Sequence, residues 1–327
     1  MKVGVHFSCS ALVGESWPDI YASALRQAEI ADELGYDSAL VSEHHFKAEG
    51  WVPSPFVLCG AIAARTTRIR VGTDIVILPF AHPLRVAEDI LTLDNLSRGR
   101  AVLGAGMGHS AAEFERFGVP YKQRVSRTEE ALAVIRAAFE QDEITVDGRY
   151  TQLAPTRVTP RPVGSPPPVW YGAISEAGAR RAARSADALV IGPSLSVAEA
   201  AAARAAYDEE RAALGLTGPG EVHLRREIAL APTAQEAWGV GLEPLRYQAS
   251  SLYADFPRDG SAEEFRTFAR DRYLVGDPAQ VREQIAEARS AFAFDGLLLR
   301  FQLPGTANEA AERATALFGT DVLGSLA

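Results

Sequence analysis

The feature that most constrains this chain is the regular alternation of short, apolar, β-branched segments with longer amphipathic segments along its 327 residues. Eight short segments have the length and composition of strands, at 2–8, 37–42, 69–77, 100–106, 168–173, 187–192, 221–230 and 295–301. The longer segments are typical of crossover helices and lie at 18–34, 54–65, 83–96, 127–140, 176–185, 197–214, 278–292 and 307–318. Because a doubly wound open sheet ordinarily has about six such units, eight units favour a closed (β/α)8 TIM barrel.

Two longer segments interrupt this alternation. Residues 141–167 contain a predicted hairpin at Asp147 and Gly148, followed by the proline-rich sequence TPRPVGSPPP. Residues 232–276 are mostly helical in pattern, with breaks at Pro244 and at 257–260. We therefore expect insertions after strands four and seven that build part of the active-site face, within a single domain over 1–327.

Composition and charge argue against several classes of partner. A net charge of −9, a pI near 5.3 and the lack of a Lys/Arg stripe make nucleic-acid binding an unfavourable prediction. No apolar run is long enough to cross a bilayer and no secretory signal is recognisable, so we expect a cytoplasmic protein without membrane contact. Cys9 and Cys59 lack the spacing of metal ligands and are expected to be reduced core residues, so no metal site is predicted.

A polar cluster follows the second predicted strand. In a barrel, Glu43, His44 and His45 would stand at the mouth where ligands bind. Neighbouring side chains on an extended backbone face opposite sides, so the two imidazoles are not expected to chelate one metal together. We expect one imidazole to face the mouth and the other to brace the loop. The alternative is that both only cap the strand through hydrogen bonds.

A glycine-rich stretch, VLGAGMGHSAAEF, follows the fourth predicted strand. Gly104 and Gly106 suggest a dinucleotide fingerprint, but His109 occupies the third glycine position and no acidic residue follows at a suitable distance. The nicotinamide interpretation is therefore not favoured. We expect Gly104, Gly106 and Gly108 to keep side chains away from a flat ligand that lies against the backbone.

A third candidate site follows the fifth predicted strand. Ser175 is a good N-cap, and the amides of residues 176–178 would be unpaired at the start of a helix, which would make a phosphate cradle. The alternative is a plain N-cap with no ligand. Trp51, Trp170 and Tyr171 near strand ends are candidates for the floor of an aromatic ligand site, or else core residues.

Several stretches together resemble the bacterial luciferase-like flavin-dependent monooxygenases. They are SEHHF, VGTDIVILPFAHPLRVAEDILTLDNLSRGR, GAGMGHSAAEFERFGV and VGDPAQVREQIAEARSAFAFDGLLL. The resemblance covers nearly the whole chain. It implies a (β/α)8 barrel with insertions, reduced FMN bound at the C-terminal mouth and supplied by a separate flavin reductase, and a homodimer packed through the early helices.

The resemblance also implies a set of site residues. His44 matches the catalytic histidine near the reactive flavin carbon, and a non-proline cis peptide is expected at Asp74–Ile75, at the end of the strand that lies against the isoalloxazine. The residues that the resemblance assigns to cofactor binding are Glu43, His45, Thr73, Asp74, Ile75, Gly106, Met107, Tyr171, Gly172, Ala173, Ser175 and Gly178.

The chain departs from the luciferase alpha subunit at two of these positions. Met107 stands where many relatives have arginine, and Gly106 replaces the reactive cysteine. The loss of a cation would weaken an anionic contact, so either another arginine substitutes or the flavin is held more loosely. Aldehyde bioluminescence is not implied.

The leading functional hypothesis is a monooxygenase that uses reduced FMN and O2 to oxidise a small organic substrate through a peroxyflavin intermediate, with His44 moving a proton. The insertions would close over the flavin and select the substrate. One alternative is a deazaflavin-dependent hydride-transfer oxidoreductase on the same scaffold, although the EHHF sequence resembles the FMN branch more closely. Another is a noncatalytic flavin-binding or partner subunit; the retention of His44 argues against it, while Met107 leaves it open.

Overall fold

The structure, a computed structural model, describes residues 1–12, 15–218 and 220–326, without the side chains of residues 252 and 253. Its eight main strands are β1 (Lys2–Phe7), β2 (Ser38–Val41), β3 (Arg70–Thr73), β4 (Ala101–Gly106), β5 (Val169–Ala173), β6 (Ala188–Ile191), β7 (Glu221–Leu230) and β8 (Gly296–Arg300). The helices are α1 (Trp17–Leu34), α2 (Pro55–Arg65), α3 (Pro83–Ser97), α4 (Ala111–Arg116), α5 (Arg124–Glu140), α6 (Glu176–Ser185), α7 (Val197–Ala213), α8 (Ala234–Tyr247), α9 (Ala262–Ala269), α10 (Pro278–Ala291) and α11 (Asn308–Asp321).

The eight strands form one closed parallel barrel in chain order. Each strand pairs with its neighbours in sequence, and β8 returns to pair with β1, for example at Leu297 opposite Val3. The predicted barrel is therefore confirmed. Because all strands are parallel, their carboxyl ends gather at one rim, which is the mouth where the residues after each strand meet.

Side chains alternate between the two faces of each strand and form two apolar layers. A small cluster fills the inside of the barrel: Leu40, Val102, Trp170, Ala188, Val190 and Leu298. The intervening residues, such as Val3, Val5 and Tyr171, belong to a large cluster between the strands and the surrounding helices. This alternation explains why the strands read as continuous apolar runs: both faces are buried. Among the described residues, no helix is long and apolar enough to span a bilayer.

The third strand differs from the predicted continuous segment 69–77. It is divided into β3 and a short strand, Val76–Ile77, with the expected non-proline cis peptide at Asp74–Ile75 between them. Gly72 pairs with Val102, whereas Val76 pairs with Ala105, so this side of the ladder contains one extra residue. Hydrophobic periodicity cannot reveal the division, because the residues on both sides of it are equally buried.

Both insertions occur where they are predicted. Strands Ile144–Asp147 and Gln152–Thr156 pair in a hairpin, and the Glu130 carboxylate of α5 accepts hydrogen bonds from the amides of Arg149 and Tyr150. The second insertion, after β7, contains α8, a helical turn at 248–253, α9 and a strand, Leu274–Gly276, that pairs with β7. It has an apolar cluster of its own that includes Leu245, Phe256 and Phe265.

Candidate active site at the barrel mouth

The loop after β2 holds its two histidines differently. His45 lies in a cluster of aromatic rings, 4.7 Å from the centroid of Phe117, and its Nε2 is 2.8 Å from the Oε1 of Glu43. The other oxygen of Glu43 accepts a hydrogen bond from the amide of Ile77 at 2.6 Å. His45 and Glu43 thereby tie the loop after β2 to the end of the third strand, which is the geometry expected of a bracing imidazole.

His44 lies among different neighbours. Its Nδ1 is 3.6 Å from the Oε1 of Glu113, and its ring makes edge-to-face contacts with Trp51 at 4.5 Å and His109 at 5.7 Å. Burial lowers the pKa of His44, while the carboxylate of Glu113 opposes that change. The imidazole is therefore neutral near pH 7 and has a nearby anion that would stabilise its protonated form.

Glu113, on α4, connects the two histidines. Besides its contact with His44, its Oε1 accepts a hydrogen bond from the amide of His45 at 3.3 Å. Burial alone would raise the pKa of Glu113, but the contact with His44 and the bond from His45 outweigh it and leave the pKa below its ordinary value. Sequence reasoning did not select Glu113, because nothing in its local pattern distinguishes it from other helical glutamates.

The end of β3 lies deep in the mouth. The Thr73 hydroxyl donates to the carbonyl of Gly104 at 2.7 Å, and the carbonyl of Asp74 is 3.1 Å from the Nε2 of His6. The Asp74 Oδ2 lies 3.9 Å from the Nη1 of Arg225. Burial raises the pKa of Asp74, and the charge of Arg225 partly offsets this effect. The side chain of Asp74 is thus part of a buried polar network beneath the rim.

The side chain of Ile75 explains two of the selected glycines. A Cβ at Gly106 would lie 2.4 Å from the Cδ1 of Ile75, and a Cβ at Gly172 would lie 2.7 Å from its Cγ2. A Cβ at Gly104 would lie 1.9 Å from the carbonyl oxygen of Thr73. These glycines make room for the end of the third strand, and not directly for a ligand as expected. A flat ligand at the mouth would instead meet Ile75, with half-buried Met107 following β4 at the rim.

The start of α6 differs from the predicted cradle of three unpaired amides. Ser175 is the N-cap, and its Oγ accepts a hydrogen bond from the amide of Gly178 at 3.2 Å. One of the three amides is therefore already engaged. The remaining two, at 176 and 177, lie at an exposed helix start, where backbone N–H groups and the helix dipole favour an anion.

The aromatic residues of β5 do not form the floor of the mouth. The ring of Tyr171 and the methyl group of Ala173 lie in the layer between strands and helices, so both would contact a mouth ligand through their backbone. Trp170 points into the barrel and stacks on His223 at 4.0 Å, near the amino ends of the strands. The alternation of side chains along β5 therefore places Tyr171 and Ala173 outside the barrel and Trp170 inside it.

A buried ionic network at the mouth was missed by sequence reasoning. Glu227 lies 3.9 Å from Arg225 on the same strand, β7, and 3.7 Å from Arg300 on β8. The Arg300 Nη2 also donates to the Ser10 hydroxyl at 2.7 Å. A sequence signal for this network was present in Arg225 and Glu227. Charged residues at alternate positions of an apolar strand must face a polar interior or a partner. These arginines are mouth cations in a chain that has Met107 in place of an arginine.

A family model for luciferase-like monooxygenases matches residues 1–294. The chain belongs to the luciferase-like monooxygenase family. The predicted resemblance is thereby confirmed. Three curated relatives, from Sinorhizobium fredii and Streptomyces nodosus subsp. asukaensis, are 32 to 37% identical to it over 139 to 227 residues. The matched stretches cover 42 to 67% of this chain but only 38 to 65% of the relatives' own lengths.

Solved structures extend the comparison of this luciferase-like chain to its whole length. Monooxygenase RslO1 from Streptomyces bottropensis superposes with a TM-score of 0.91 and 27% identity, with 100% of each chain covered. The oxygenating constituent of 3,6-diketocamphane monooxygenase from Pseudomonas putida, solved with FMN, gives 0.84 and 21%, with 99% and 98% covered. An F420-dependent secondary alcohol dehydrogenase gives 0.80 and 19%, with 98% of each chain covered. The last two likenesses establish the shared fold.

Within this luciferase-like barrel, the selected residues come together at one rim. Those after β2, β3, β4 and β5 follow four adjacent strands, and the contacts of Ile75 with Gly106 and Gly172 join three of them. Among the described residues, no group of three or more His, Cys, Asp or Glu is arranged to hold a metal ion. The roles assigned to individual side chains remain predictions.

Proposed function

We propose that this luciferase-like chain is a flavin-dependent monooxygenase that binds reduced FMN at the barrel mouth and uses O2 to oxidise a small organic substrate. The observation that carries the proposal is the environment of His44, a neutral imidazole held between Glu113 and Trp51 at the rim. When bound, reduced FMN would supply the two electrons that O2 activation requires. A separate flavin reductase would supply the reduced flavin.

The residues at the mouth fit a planar ring with polar edges. Ile75 presents an apolar side chain between the glycines of β4 and β5. Among the described residues, the buried Ser8 hydroxyl, which follows β1, has no hydrogen-bond partner. Buried polar atoms without partners are uncommon and are often satisfied by a ligand. An apolar side chain and an unsatisfied hydroxyl at the same end of the barrel suit an isoalloxazine ring, which is planar and has polar edges.

The chemistry assigned to the protein's own residues is proton transfer and exclusion of water. His44 would accept or return a proton, because a neutral imidazole near pH 7 can do both. Glu113 would stabilise the protonated form. The buried ring of Trp51 and the second insertion, which reaches the mouth where Gln248 donates to Glu227, would keep water away from the reacting atoms.

Replacement of His44 by Ala tests the assignment. We expect the dissociation constant of FMN to stay nearly unchanged, while oxidation of protein-bound reduced FMN by O2, followed by stopped-flow absorbance, slows by roughly 100-fold or more. His82→Ala is the matched control, because His82 caps α3 and should leave the rate unchanged. Equal loss of FMN binding and rate in His44→Ala would instead assign His44 a bracing role.

The deazaflavin alternative is favoured by one observation, the shared fold of the F420-dependent dehydrogenase. Titration of the protein with FMN and, separately, with the deazaflavin coenzyme distinguishes the two proposals. Tight binding of that coenzyme, with no binding of FMN in the micromolar range or tighter, would favour hydride transfer. FMN that binds but is oxidised at the rate of free FMN in both wild type and His44→Ala would identify a noncatalytic subunit.

A further inference from the structure

Trp51 is a buried donor in the mouth, and no described residue accepts a hydrogen bond from it. Its side chain is 4% exposed, and among the described residues its indole N–H has no hydrogen-bond acceptor. A buried donor without a partner destabilises the folded state, because it loses its hydrogen bond to water without a replacement. Such a group persists where something other than stability selects it.

The backbone around Trp51 is built to hold this ring in place. Trp51 has a φ of 78°, a left-handed conformation that is strained for a bulky residue. Gly50 precedes it with a φ of 81°, and a Cβ there would collide with the ring of Trp17. The carbonyl of Glu49 accepts a hydrogen bond from the amide of Ala11 at 2.7 Å, so the loop is fixed just before the indole.

The ring of Trp51 contacts both the proposed catalytic imidazole and a cation. Its edge-to-face contact with His44 has a centroid distance of 4.5 Å, and the guanidinium of Arg300 lies over the ring, 4.9 Å from its centroid. A cation over the face of an indole draws electron density from it, so the N–H becomes a stronger donor. The donor is therefore adjacent to the residue expected to act on the substrate.

The charges near the ring favour an uncharged acceptor. Arg225 and Arg300 carry two formal positive charges, and Glu227 and Asp74 within 3.9 Å of them carry two negative ones. Among the described residues of this network the two pairs of charges balance, so a carboxylate ligand would gain little from it to offset its loss of water. A carbonyl-type oxygen is a strong neutral acceptor and carries no such penalty.

We propose that Trp51 is a specificity-determining residue whose indole N–H donates a hydrogen bond to an uncharged, carbonyl-type oxygen of the substrate. This assignment rests on the proposed function of the same mouth. It predicts that the substrate carries such an oxygen and that a hydrocarbon binds more weakly. A site with a buried donor rejects analogues that leave the donor unpaired.

The direct experiment is an NMR titration of the wild-type protein, without FMN, that follows the indole resonances of its four tryptophans after 15N labelling. The probes are cyclohexanone and methylenecyclohexane. They have nearly the same shape, but only cyclohexanone carries an oxygen acceptor. We expect cyclohexanone to move the Trp51 resonance, identified by its loss in Trp51→Phe, and methylenecyclohexane to leave it in place. An unmoved Trp51 resonance, or equal movement with both probes, would overturn the assignment.

The variant Trp51→Phe supplies a second measurement, because it keeps an aromatic side chain and removes the N–H together with the five-membered ring of the indole. We expect about 10-fold weaker binding of cyclohexanone, the equivalent of one hydrogen bond, with FMN affinity unchanged. Trp238→Phe is the matched control, since Trp238 also lies under a guanidinium, that of Arg266 at 5.3 Å, but within the insertion. Weaker FMN binding with unchanged cyclohexanone binding would show that the indole serves the flavin, and would refute the assignment.

Failure of the proposed function gives a different result. A wild-type protein that binds neither FMN nor the deazaflavin coenzyme, but in which cyclohexanone moves the Trp51 resonance, would remove the flavin chemistry and leave the donor assignment intact.

Discussion

At the scale of single residues, the contact between His44 and Glu113 controls the proposed chemistry. Burial lowers the pKa of His44, and Glu113 opposes that effect. A histidine with a lowered pKa is neutral above that value and becomes charged as the pH falls through it. The rate of a step that needs the neutral imidazole should therefore decline on the acid side, at a pH that the charge of Glu113 sets.

Glu113→Gln removes that charge while retaining an oxygen that can accept the amide of His45. The pKa of His44 should fall further, so the acid limb of the pH–rate profile should move to lower pH by roughly one unit. The profile is measured as O2-dependent oxidation of protein-bound reduced FMN. Glu115→Gln, an exposed position on the same helix, is the control. An unmoved limb, or a shift to higher pH, would contradict the pairing.

Some of these residues could be predicted from sequence and others could not. SEHHF is conspicuous because polar residues abruptly follow an apolar strand, and the structure places Glu43, His44 and His45 at the rim. Glu113 belongs to a helix, where its partner depends on a loop more than 60 residues away in sequence, and local patterns carry no information about such pairs. Trp51 was noted, but its unpaired N–H depends on packing that a sequence does not display.

At the scale of elements, the second insertion and the loop after β2 are joined across the mouth. The hydroxyl of Tyr247, the last residue of α8, donates to the carboxylate of Glu49. The next residue, Gln248, donates to the buried Glu227 at 3.3 Å. Two hydrogen bonds thus connect the end of α8 to the mouth, one at the loop that presents Trp51 and one at the ionic network.

Tyr247→Phe removes one of these connections. We expect hydrogen exchange of the amides in residues 46–52 to become roughly fivefold faster, which corresponds to about 1 kcal/mol for one hydrogen bond. Tyr150→Phe is the control, because Tyr150 bonds to Ser126 at 2.8 Å in the other insertion. Exchange that is unchanged at 46–52 in Tyr247→Phe would show that the loop does not depend on the insertion.

Element boundaries were predictable where a backbone signal exists. Asp277, which accepts bonds from the amides of Ala279 and Gln280, begins α10 as a capping residue followed by proline, and such signals are local. The division of the third strand was not visible in the pattern of residues 69–77, because Asp74 and Ile75 leave the ladder through backbone geometry. The resemblance to relatives supplied the cis peptide instead.

At the scale of the whole molecule, the closed barrel gathers the site from distant parts of the chain. Contacts at the mouth join Ser10 to Arg300 and Asp74 to Arg225. Strand alternation predicted the closure from sequence, because eight units of one type have few other arrangements. It did not predict which charged strand residues meet inside, since that depends on the register of β7 and β8.

The proposed homodimer is tested at the same scale. Val57 on α2 and Leu96 on α3 are large apolar side chains that are 76% and 65% exposed, which suits burial by a second copy. We expect sedimentation at twice the 35.1 kDa chain mass, and dissociation at least about tenfold easier in Val57→Glu. Leu214→Glu, at an exposed apolar position after α7, is the control. A monomeric wild type would end the dimer proposal.

The most direct test of the central claim is a crystal structure of the protein soaked with FMN. We predict the isoalloxazine ring against Ile75 at the ends of β2 to β5, with the imidazole of His44 in contact with it and the phosphate at the start of α6. Electron density for FMN elsewhere on the molecule, or a His44 imidazole turned away from the bound ring, would contradict the account.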